Sequence, residues 1–193
     1  GVEWFDASIT RGAPHRMRLA NLHADLGPLA VPALDEPIAI EASAVFKGPT
    51  RDGRVQLSGS ITPASRDADL RLDARGVELA ALQPYLLKSG ESAIKSGTLD
   101  LNLHAKSARQ HLNAPGKLTL RGLELQSGGG LFGTFAGVPK QAVLAAISRD
   151  GRIELDFTLE GRVDDPKFSL NEVFAARFAV GLAARPGVKL GEV

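Results

Sequence analysis

The chain has 193 residues, with 23 Lys and Arg against 22 Asp and Glu, giving a formal net charge of +1. That balance, the lack of any Lys/Arg block and an aromatic content of 5 % exclude the electrostatic footprint and stacking platforms of a nucleic-acid binder. With no cysteine, disulfides and thiolate metal sites are excluded, and no run of about 18 apolar residues is long enough for a transmembrane helix.

Val2 to Ile9 reads as a first strand and carries Trp4. His15 to Leu26 reads as a second. Its apolar phase shifts between Leu19 and Leu22, which predicts a bulge near Ala20 or Asn21. Gly27 to Pro37 holds Pro28, Pro32 and Pro37 and reads as an extended linking loop or an edge segment. Ile38 to Phe46 alternates as a third strand. Four phrases then share one form: a turn glycine, a polar residue and an apolar/polar alternation. They begin at Gly53, Gly97, Gly116 and Gly151. Period-two alternation puts apolar side chains on one face of a strand and polar ones on the other.

Between these phrases, Ala68 to Ala74 is a strand. Glu78 to Leu87 is a short helix or helical turn limited by Pro84. Asn113-Ala-Pro-Gly116 is a turn, and Gly122 a bulge or flat spot within Leu118 to Leu125. Gly128 to Gly137 is glycine-rich and apolar but lacks the Gly-Lys-Ser/Thr of a phosphate loop. Pro139 to Ile147 is a helix with Pro139 in its first turn. Phe168 to Leu170 is a short strand, and Leu170 to Ala184 an apolar helix stopped by Pro186 and Gly187. The expected fold is mainly β: a curved, mostly antiparallel sheet, trough or half-barrel, with two or three short helices. It forms one module over residues 1–193.

The apolar face gathers Val55, Leu57, Leu70, Leu72, Leu99, Leu101, Leu103, Leu118, Leu120, Ile153, Leu155, Phe157 and Leu159. Two readings stand. The face is an ordinary core against helices or a second sheet, or it is a groove for acyl chains, which need no specific polar contact. Leu131, Phe132 and Phe135 in the glycine-rich stretch belong either to a plain connection or to a lid touching lipid. Phe174 and Phe178 belong to a helix that plugs the sheet or lies at a membrane surface. His15, His23, His104 and His111 show no metal-ligand spacing. Asp164 and Asp165 before Pro166 have turn chemistry. No nucleophile, base and orienting acid fall together, so no catalytic residue, metal or cofactor is expected.

Gly76-Val-Glu-Leu-Ala-Ala-Leu-Gln-Pro-Tyr-Leu, then Ser96-Gly-Thr-Leu-Asp-Leu-Asn-Leu, then Leu159-Glu-Gly-Arg-Val-Asp-Asp-Pro-Lys-Phe resemble segments of AsmA-like proteins. The resemblance covers roughly residues 53–185, whereas residues 1–52 match only as generic strands. It implies a bent β-sheet trough with an apolar interior, in the periplasm, tethered to the inner membrane in the full-length protein. The implied role is non-enzymatic: binding phospholipid and aiding its traffic between inner and outer membranes. Basic side chains such as Arg54, Lys117 and Arg152, at strand starts, would then meet phosphate at the rim. The alternative is a self-packed structural module whose strand edges stack on neighbouring β modules. The chain opens on Gly1 rather than Met, which is read as an excised fragment or processed product.

Overall fold

The alternating segments form strands of one open sheet. The computed structural model of the chain describes residues 1–6, 15–28, 34–83, 94–126, 134–135, 138–139, 148 and 150–163. The strands are β1 (Val2–Asp6), β2 (His15–Leu26), β3 (Ile38–Lys47), β4 (Asp52–Thr62), β5 (Asp67–Glu78), β6 (Ile94–Ala108), β7 (His111–Leu125), β8 (Thr134–Phe135), β9 (Val138–Pro139) and β10 (Arg152–Arg162). Eight of them form an antiparallel meander in the order β1-β2-β3-β4-β5-β6-β7-β10, while β8 and β9 pair separately.

Three irregularities bend this sheet. The β2–β3 register slips between Ala20 and His23, with Asn21 at φ 50°, where the phase shift predicted a bulge. The β5–β6 register slips between Ala74 and Val77 around Gly76 at φ 64°. The β6–β7 register slips twice in one place, between Ile94 and Ser96 and between Ser96 and Thr98, the second opposite Gly122 at φ 59°, as expected for Gly122. Each extra residue bends its strand and increases the local twist, so the sheet curves.

Two expectations need correction. Asn113-Ala-Pro-Gly116 is not a turn but lies inside β7. The β6–β7 reversal is instead made by Arg109 and Gln110, both at positive φ (50° and 65°), the conformation of a two-residue hairpin turn. Pro115 is accommodated because the β6–β7 register runs Leu103↔Gly116 and resumes at Lys106↔Asn113. A residue without an N–H falls in that gap. Second, the expected two or three short helices are not found among the described residues, where Glu78 to Leu87 yields a 3-10 turn, Leu79–Leu82, because β5 continues through its bulge to Glu78 and takes the first residue of that segment. Pro139 sits in β9, not in a helical first turn. The rest of that segment, the helix at 170–184 and the strand at 168–170 lie outside the described residues.

Side chains directly opposite in antiparallel strands share a face. One row runs Ile153–Leu120–Leu99–Val77, and Phe46 and Leu19 continue it past Gly53. A Cβ on Gly53 would lie 2.8 Å from the Val77 Cα, so glycine lets β4 and β5 close up there. The next rows are Leu155–Leu118–Leu101–Ala74–Val55–Ala44 and Phe157–Gly116–Leu103–Leu72–Leu57–Ala42–Ala24. A further row runs Leu70–Gly59–Ile40–Leu26, with Leu159–Ala114 at its β10 end.

Candidate functional site

All thirteen residues from Val55 to Leu159 named for the apolar face share that face through these rows. Their burial is graded along the strands. Leu99, Leu118, Leu120, Ile153 and Phe157 are buried with Phe46, Val77, Leu79 and Ile94, and Leu101, Leu103, Leu155 and Leu159 pack against them. The 3-10 turn roofs this end: Leu79 is 1 % exposed, and Ala81 and Leu82 pack on the same cluster. Ala81 also accepts a hydrogen bond at 2.8 Å from the His15 Nε2, tying the turn after β5 to β2 across β3 and β4.

Toward the other end the cover is uneven among the described residues: Ile38 is 9 % and Ala114 1 % exposed, whereas their neighbours are not fully buried. Leu57, Leu70, Leu72, Ile40 and Ile61 are half-buried and lie outside that cluster, and Leu26 is 70 % exposed. The sequence did not find the lining of the roofed end, since Val77, Leu79 and Ile94 fall in segments read as loop or helix. Leu131, Phe132, Phe174 and Phe178 lie outside the described residues. Phe135 lies in β8, away from the main sheet's ladder.

The opposite face is polar, and most of its charges are paired. Lys117 meets Glu154 at 2.9 Å and Arg152 meets it at 3.7 Å. Asp69 pairs with His104 at 2.6 Å and Lys106 at 3.2 Å, and Asn102 bonds Asp73. Arg54, Lys117 and Arg152 therefore stand on the polar face, not at the rim of the apolar one. The reason is parity: a residue just before the first apolar residue of a strand must point to the other side. Arg71, His104, Lys117, Asp156 and Thr158 border a shallow, open depression of about 540 Å³ above Pro115. No hydroxyl bonds His104 there, so its pairing with Asp69 orients no nucleophile among the described residues. No group of three His, Asp or Glu able to hold a metal occurs among them either, and no helix among them is long and apolar enough to cross a membrane.

Two carboxylates hold the backbone where it departs from the ladder. Glu78 accepts bonds from the Thr50 N–H at 2.8 Å, the Arg51 N–H at 3.1 Å and the Thr50 hydroxyl at 2.9 Å, fixing the β3–β4 turn. Asp100 accepts the Gly76 N–H at the β5 bulge at 2.8 Å and takes both Arg121 nitrogens at 2.9 and 3.2 Å. Burial pushes both carboxyls up. For Glu78 the Thr50 and Arg51 donors outweigh it and hold the group below the usual 4.5; for Asp100 the Gly76 amide and Arg121 do the same against the usual 3.8. Folded values below unfolded ones mean stability that is complete above the unfolded values and is lost as pH falls through the folded ones. Urea midpoints are therefore expected to hold from neutral pH to about pH 5 and to fall below about pH 4.5. Glu78→Gln and Asp100→Asn should be less stable at pH 7 by about 1–3 kcal/mol each and lose less on acidification.

Comparison with models of known protein families, with characterised protein sequences and with solved structures finds no match.

Proposed function

We propose that this chain is a phospholipid-binding and transport module of AsmA-like type, without catalytic activity, whose trough holds acyl chains along the apolar face. In this reading it works in the periplasm as part of a protein tethered to the inner membrane, aiding lipid traffic toward the outer membrane and envelope integrity. The supporting observation is the pair of rows from Phe157 to Ala24 and from Leu70 to Leu26. Both are free of charged residues and only half-buried where β2 to β5 cross.

The dimensions suit the ligand. The seven strands from β2 to β10 span roughly 29 Å at about 4.8 Å per strand. One leaflet's acyl chain reaches about 15 Å, half of a hydrocarbon core about 30 Å thick. Eight methylenes laid on the face contribute about 6 kcal/mol at about 0.8 kcal/mol each, enough for capture before ordering costs are subtracted.

The protein is incubated with phosphatidylethanolamine/phosphatidylglycerol vesicles, re-isolated and weighed by native mass spectrometry. Bound phospholipid is expected, with loss of at least about tenfold in Leu57→Asp and Leu72→Asp, since a carboxylate beside an acyl chain must stay hydrated. Ser58→Asp, on the polar face, should keep the lipid. A lipid-free mass for the parent chain, or equal loading of all three variants, overturns the proposal. The roofed end favours a second reading, a self-packed structural module, and a lipid-free mass is the result it expects.

A further inference from the structure

The β4–β5 and β6–β7 turns lie side by side at one end of the sheet. The Ser107 hydroxyl donates to the Arg66 carbonyl at 3.2 Å, and the Arg109 N–H donates to the Asp67 carboxylate at 2.9 Å. The apolar face ends there in the row Ile38–Ile61–Ala68–Ser107–Leu112. Arg66 comes two residues before Ala68 and Arg109 two residues after Ser107, so both stand just past the end of that face.

Both arginines are exposed, and neither guanidinium has an ion-pair or hydrogen-bond partner among the described residues. Asp67 gives its oxygen to the Arg109 main chain rather than to either guanidinium. Both residues also hold positive φ, 59° at Arg66 and 50° at Arg109. That conformation favours Gly or Asn and costs free energy with an arginine, a cost that recurs where the side chain has a use. Adjacent guanidiniums match the oxygens of a phosphate. Neighbouring acids limit its charge. The Ala64 N–H donates to the Leu34 carbonyl at 2.9 Å, which brings Asp35 and Glu36 near the same turn. With Asp67 they repel a free phosphate dianion more than the single charge of a phosphodiester.

The other end of the face offers hydrocarbon alone, with Val77, Leu79, Ile94 and Leu99 all buried. Between the two ends, Ala68 to Ala74 covers about 20 Å at about 3.3 Å per residue. That length takes the roughly 15 Å of one leaflet's acyl chain.

We propose that Arg66 and Arg109 form a subsite for the phosphodiester of a phospholipid, whose acyl chains run along β5 and β6 toward Leu79. This subsite presupposes the lipid-binding trough proposed above and gives the bound lipid a direction.

The probes are dioctanoylphosphatidylglycerol and dioctanoylglycerol, which share their chains and differ in the phosphodiester headgroup. Each is titrated into the parent chain and followed by native mass spectrometry. The phosphatidylglycerol is expected to bind at least about tenfold tighter, the scale of charge-assisted contacts to two arginines. Arg66→Asn combined with Arg109→Asn should bring its affinity down to that of dioctanoylglycerol. Asn suits the left-handed conformation, so the urea midpoint should hold or rise, which separates loss of the subsite from loss of the fold. A nitroxide at the acyl-chain end should broaden the Leu79 and Leu99 amide signals more than those of Arg66 and Arg109. Four results overturn the subsite and leave the trough standing: equal binding of the two lipids, a preference that survives the double Asn change, displacement by equimolar inorganic phosphate, or broadening concentrated at Arg66 and Arg109. If neither lipid binds the parent chain, the trough falls and the subsite with it.

Discussion

Gly59→Val is expected to leave little folded protein at 25 °C. Gly59 lies in β4 at φ 137°, a region that residues with a Cβ rarely adopt, and a Cβ there would lie 2.0 Å from the Asp69 carbonyl oxygen and 3.0 Å from the Leu70 Cα. Both obstacles are main chain of the next strand, so no rotamer change relieves them. Backbone strain of this kind is worth about 1–3 kcal/mol, and pushing β5 away adds to it. A domain holds about 5–15 kcal/mol in all, so one substitution removes a large share. Gly59→Ala should show most of the loss, since the obstacle is the Cβ itself. Urea melts followed by far-UV circular dichroism measure it, and a parent-like midpoint for Gly59→Ala would contradict the geometry. Gly122, with nothing within 4 Å of a built Cβ, is the milder comparison: only its φ of 59° opposes alanine.

Leu79→Ala is expected to destabilise by about 2–5 kcal/mol, the range for truncating a fully buried leucine. Leu79 is the largest fully buried side chain among the described residues, and its Cδ1 would touch a Cβ built on Gly97 at 2.8 Å. Leu82→Ala, on a half-buried residue of the same turn, should lose less. The two variants also separate roof from sheet. If Leu79 serves chiefly to seat the 3-10 turn, its loss should free the His15–Ala81 bond and expose the Leu99–Val77 row, read as faster exchange in that row. An unchanged melting midpoint for Leu79→Ala would show that the roof contributes nothing to the fold.

The sequence carried strand identity well and strand ends poorly, for a physical reason. Alternation is a property of side chains, so β2, β3 and the face holding Leu101, Leu118 and Leu155 were legible. The β2 bulge was legible too, because a phase change is written in the same pattern. The turn at Arg109–Gln110 was not, since neither residue is typical of positive φ, while Asn113-Ala-Pro-Gly116 carries stronger turn signals and yet is held in the ladder by strands on both sides. β5 ran past Gly76 because Asp100, 24 positions away, satisfies the bulged amide, and no local pattern announces such a bond. The graded cover of the apolar face was out of reach for the same reason: alternation tells which side is apolar, not what lies over it.

Within the main sheet every strand from β1 to β7 is bonded to the strand that precedes or follows it in the chain. For these strands each pairing joins neighbours in the chain, so folding can proceed by zipping one hairpin onto the last as the polypeptide leaves the ribosome, while β10 joins β7 only after the longer stretch between Leu125 and Arg152 is closed. The same connectivity makes the sheet modular over evolutionary time. Duplicating a stretch such as β4 with β5 and its turn would insert two strands and widen the sheet without re-threading any other part of the chain.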